Sequence, residues 1–109
     1  MSAHLTFVDD LVQDVAAGDL TTGHALARLR MRGLTPNPDA LDDALTALQA
    51  RDSFIAGGIG PDPYEYLGTE PQAHTVRPIW ELAVERAEHL YDEALRVLAV
   101  RQASTAVAS

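Results

Sequence analysis

The sequence predicts an all-α protein in which three short helices pack on one long C-terminal helix, with a Gly/Pro-rich loop between helices three and four. Three observations carry this. Apolar residues recur at steps of three and four in each of four segments, the spacing that places them on one face of a helix. Each segment opens or closes on residues suited to helix ends. Glycines and prolines gather in one long stretch between the third and fourth of these segments. The whole of residues 1–109 reads as one helical domain, long enough to hold a core without disulfides or a structural metal.

Helix one is predicted over residues 6–17. Thr6 and Asp9 stand at capping-box spacing, Val8, Leu11, Val12 and Val15 form the inner face, and Gly18 ends the run. Helix two is predicted over 21–32, capped by Thr21, with Leu20 placed to staple against Ala25 and with Gly33 as the stop. The short connection makes helices one and two antiparallel neighbours. Helix three is predicted over 38–52. It opens on Asn37-Pro38, has Asp39 in the first turn, carries Leu41, Ala44, Leu45 and Leu48 as its stripe, and fades towards Ile55.

Residues 56–74 hold four glycines and three prolines and read as a loop. Within it, Asp62 as acid cap, Pro63 in the first turn, Glu65 reaching back and Gly68 as closure predict one helical turn over Pro63 to Leu67. Gly57-Gly58-Ile59-Gly60 is not a dinucleotide fingerprint, because the third glycine is misplaced and no strand precedes it.

The long helix is predicted over 77–101, about 36 Å at about 1.5 Å per residue from Pro78 onward. Trp80, Ala83, Val84, Ala87, Leu90, Tyr91, Ala94, Leu95, Val97 and Leu98 form its apolar stripe. The polar face carries Glu81, Glu85, Glu88 and Asp92, and Asp92 is spaced to pair with Arg96. Residues 102–109 form a frayed tail. Ala-Leu-x-x-Leu-x-x-Arg occurs at Ala25, Ala44 and Ala94; the unequal intervals make it helix packing written in good helix formers rather than a repeat.

Composition narrows the functional classes. Sixteen acidic residues against eight arginines give a net charge of −8, which repels phosphate backbones. Helices two and three imitate a helix-turn-helix, but Asp39, Asp42 and Asp43 would face the duplex, so no nucleic-acid partner is expected. All the basic residues are arginine, which excludes a lysine Schiff base and a P-loop. No cysteine is present, which excludes thiol catalysis and cysteine metal sites. No segment approaches the roughly 20 apolar residues of a membrane span, and the N-terminus lacks an export pattern, so no membrane partner and a cytoplasmic location are expected.

Catalytic groups are sparse. His4, His24, His74 and His89 are scattered, and no Gly-x-Ser-x-Gly elbow or His-x-x-x-His pair exists. His74 is the best lone candidate for proton chemistry. Glu85, Glu88, His89 and Asp92 lack the Glu-x-x-His spacing of carboxylate-metal bundles. No catalytic, cofactor-binding or metal residues are therefore assigned, and no cofactor is expected.

The sequence points to a non-catalytic protein-protein interaction, regulatory or assembly subunit. Its partner-binding candidates are Phe54, Ile55, Ile59, Tyr64, Tyr66 and Leu67 around the loop, and Leu90 and Tyr91 on the long helix. The partner is a protein, which includes a second copy paired through the long helix. One alternative is a small acidic inhibitor or nucleic-acid mimic working through Asp39, Asp42, Asp43 or the Glu81 to Asp92 stripe. Another is a carboxylate/His metal-binding enzyme subunit that would need His89 or His74 to converge with the stripe.

Overall fold

The computed structural model describes residues 3–56, 62–68 and 79–101. Among them the elements are α1 (Ala3–Ala16), α2 (Thr22–Met31), α3 (Pro38–Ala56), α4 (Pro63–Leu67) and α5 (Ile79–Leu98), and no strand. The fold is all-α, with the long C-terminal helix packed on α3 and α4.

Local signals set the helix ends. Thr21 Oγ1 accepts from the His24 N–H at 3.1 Å, Asn37 Oδ1 from the Asp39 and Ala40 N–H groups at 2.9 and 3.1 Å, and Asp62 Oδ1 from the Tyr64 N–H at 3.0 Å. Each such cap satisfies donors the helix cannot, and is worth about 1 kcal/mol. Gly18 and Gly33 close α1 and α2 at φ 83° and 77°. Beyond them the Asp19 N–H donates to the Asp14 carbonyl and the Leu34 N–H to the Leu29 carbonyl, the five-residue bond of a Schellman stop.

Three helix boundaries depart from expectation. α1 begins at Ala3, so Thr6 lies inside it rather than at its cap. The cause is Leu5, which packs on the core and starts the apolar period a turn earlier. α3 continues to Ala56 and, at 19 residues against 20 for α5, is not short. Its last turn is held by Phe54, buried against Ala50, Ala83 and Ala87. α5 ends at Leu98, and Arg101 instead forms an isolated antiparallel bridge with Leu34. Residues 77 and 78, most of the predicted loop, and the tail lie outside the described residues.

The centre of the molecule is the pair α3 and α5. Leu34, just before α3, bridges Arg101, just after α5, while Phe54 at the end of α3 meets Trp80 at the start of α5. The two helices are therefore antiparallel. Their shared seam is written in alanine: Ala40, Ala44, Ala47 and Ala50 from α3, and Ala83, Ala87 and Ala94 from α5, are all buried. Small side chains let the two backbones approach closely.

On one flank of the seam α1 and α2 add Val8, Leu11, Val12, Ala25 and Leu29 to Leu41, Leu48, Leu95 and Leu98 to make the main core. The α1 and α2 pair is antiparallel, since the Arg32 guanidinium lies 4.2 Å over the ring of Phe7, at opposite ends of the two helices. The Ala-Leu-x-x-Leu-x-x-Arg pattern is a core pattern: its alanine and second leucine are buried in all three copies.

Candidate interaction surface

The predicted partner-binding residues divide into three places. At the aromatic end of the α3/α5 pair, Phe54 is the hub. Its ring meets Tyr66 edge-on at 5.1 Å and Trp80 at 5.9 Å, so residues from α3, α4 and α5 converge on it. Phe54 itself is buried, but its neighbour Ile55 is 66% exposed and Trp80 42% exposed. Between them lies an open groove of about 380 Å³ lined by Phe54, Ile55, Trp80 and Val84, with Glu81 and Glu85 on its edge.

The second place is the flank of the seam turned away from α1 and α2. α4 lies on its upper part, where Tyr66 and Leu67 pack on Ala50, Phe54, Ala83 and Ala87. Tyr64 is half-buried on the same short helix. Burial raises the Tyr66 phenol above its ordinary pKa, partly opposed by the charge of Arg86 nearby. Below Tyr66 the seam is open, as a groove of about 440 Å³ floored by Ala40, Ala47, Leu90, Ala94 and Val97. Asp43 and Thr46 line it on the α3 side and Glu93 on the α5 side.

The third place is interior. Tyr91, expected on an assembly face of the long helix, is 8% exposed, and its hydroxyl donates to Asp9 Oδ1 of α1 at 2.5 Å. Burial pushes its pKa up, and the hydrogen bond and charge of Asp9 add to this, while Arg51 and Gln13 act against it. A phenol held in this way is a hydrogen-bond donor that ties α5 to α1 within the chain. Leu90, its neighbour, faces the open groove instead. Ile59 lies outside the described residues.

Trp80, Val97 and Met31 were not among the candidates, yet all are large apolar groups left in water. Trp80 and Val97 were assigned to the inward stripe. Val97 stands on the margin of that stripe, whereas Trp80 lies on the same side of the helix as the fully buried Leu98, about five turns away, and is exposed in the first turn. For Val97 the width of the stripe was the available signal, and for Trp80 its place in the first turn of the helix.

The acidic stripe is a solvated face. Arg96 Nε donates to Asp92 at 2.8 Å, as its spacing predicts, and His89 Nε2 lies 3.1 Å from Glu93, with all four side chains well exposed. Among the described residues no three His, Cys, Asp or Glu side chains are placed to hold a metal ion. His74 lies outside the described residues, and His24 is exposed at the start of α2. No described helix is long and apolar enough to cross a membrane. Comparison with protein-family models, with curated proteins and with solved structures gave no match.

Proposed function

We propose that this chain is a non-catalytic protein-interaction subunit, of regulatory or assembly type, that binds a protein through the aromatic end of the α3/α5 pair. The observation that carries the reading is the exposure of Ile55 and Trp80 on either side of one groove whose floor, Phe54, is already ordered. Apolar area left in water is worth about 25 cal/mol per Å² when a partner covers it. An aromatic anchor on a pre-formed floor loses little freedom on binding. The reading includes a cytoplasmic location, with which a composition without cysteine is compatible.

The test is a photo-crosslinking residue, benzoylphenylalanine, in place of Ile55 in the full chain, irradiated in the native cell. A discrete adduct with one protein, another copy of this chain included, that disappears when Trp80→Asp is added is the expected result. Absence of any adduct, together with a monomer mass by light scattering at low and high salt, would refute the reading.

A further inference from the structure

We infer that the open lower half of the α3/α5 seam is a docking site for a short, basic, amphipathic helix of another protein. This goes beyond the aromatic end and concerns a different surface. It rests on the reading of the chain as a protein-interaction subunit.

The channel's own upper half shows what kind of occupant it takes. There α4, one helical turn, presents Tyr66 and Leu67 to the alanine-lined seam. Below Tyr66 no other described element covers the same seam, and Val97 is 45% exposed and Leu90 half-buried. From Ala40 to Ala47 on one wall and Leu90 to Val97 on the other, the groove spans two helical turns, about 10 Å. That length accepts apolar anchors at i, i+3 or i+4 and i+7 from a helix laid in it. Its low alanine walls let the incoming backbone come close.

Charge selects the occupant. Asp43 lines the α3 wall, Asp39 stands one turn before it on the same face, and Glu93 lines the opposite wall. Arg86 stands near Tyr66, at the upper end of the groove. A second copy laid seam to seam would set carboxylates against carboxylates, each chain with a net charge of −8. A helix with Leu-sized anchors and flanking Lys or Arg meets both the floor and the rims.

The experiment titrates the full ¹⁵N-labelled chain with a synthetic Leu/Lys peptide of about 14 residues in amphipathic order, about four turns. Its controls are a scrambled peptide of the same composition and a Leu/Glu peptide of the same apolar period. The expected result is amide shifts centred on Thr46, Ala47, Ala94 and Val97, with both controls, and the variants Val97→Lys and Asp43→Lys, binding about tenfold or more weakly. Equal binding of the scrambled peptide would reduce the effect to charge alone and overturn the proposal. So would shifts centred on Ile55 and Trp80, no binding at about millimolar peptide, or a dimer of the free chain that Val97→Lys dissociates. The adduct from position 55 is read independently, so the proposal and the broader reading fail separately.

Discussion

Val97 and Leu98 are neighbours in the chain, yet one is 45% exposed and the other fully buried. They stand on the two flanks of the same helix pair. On Leu98's flank α1 and α2 close over the seam, and Val8, Val12, Leu34 and Leu98 are fully buried there. On Val97's flank a five-residue helix covers one end, and among the described residues no element covers the rest. One pair of helices thus has a face closed by two helices and a face closed by α4 at one end. The difference teaches that α5's wide apolar stripe serves two ends, folding at its centre and surface at its margin.

The sharpest break in this comparison is Leu98→Ala. Removing a fully buried leucine from the closed flank should cost about 2–5 kcal/mol, read by urea unfolding. Val97→Ala, one residue away, should cost less than about 0.5 kcal/mol in the same experiment. Equal losses would mean that the two flanks do not differ.

Tyr91→Phe comes next, at about 1 kcal/mol, because the bond to Asp9 is lost where α1 meets α5. The variant also tests a pH dependence. The folded state holds the phenol proton beyond the ordinary value of 10.0, at which the unfolded chain releases it. Folding then binds more protons than unfolding. The stabilisation is full below about pH 10 and falls above it, by at most about 1.4 kcal/mol per pH unit for one group. In Tyr91→Phe that part of the alkaline decline should vanish.

At the end where the chain is closed, Thr35 Oγ1 donates to the Val100 carbonyl at 2.7 Å, beside the Leu34 and Arg101 bridge. Thr35→Val should cost about 0.5–1 kcal/mol and speed amide exchange of α5's last turn. The smallest effect belongs to the solvated stripe. Arg96→Ala breaks the 2.8 Å pair with Asp92 and should cost about 0.5 kcal/mol or less, vanishing at high salt.

Features fixed by near neighbours in sequence were legible beforehand. The caps at Thr21 and Asn37, the glycine stops at 18 and 33, and the isolated turn over Pro63 to Leu67 each depend on residues within a few positions. The Asp92 and Arg96 pair is of the same kind. What sequence missed depends on distant partners. The bond from Tyr91 to Asp9 joins residues 82 apart, and nothing in either segment announces it. The last turn of α3 forms because Phe54 finds alanines of α5, so tertiary packing outweighs the weak local pattern of residues 52–56. Of the candidate surface, Phe54, Ile55, Tyr66 and Leu67 do cluster, but Trp80, which completes the groove with Phe54 and Ile55, was hidden inside the apolar stripe of α5.

Trp80 is also the chain's sole tryptophan, and it stands half-exposed, 5.9 Å from Phe54, at the α4 end of the molecule. Intrinsic fluorescence therefore reports one corner of the protein, whereas far-ultraviolet circular dichroism reports all its helices together. Release of α4 would shift the emission while the closed flank still holds its helices. Coincident transitions by the two probes define a single cooperative unit; an earlier one by fluorescence resolves a foldon at the aromatic end, and unfolding data then need three states rather than two.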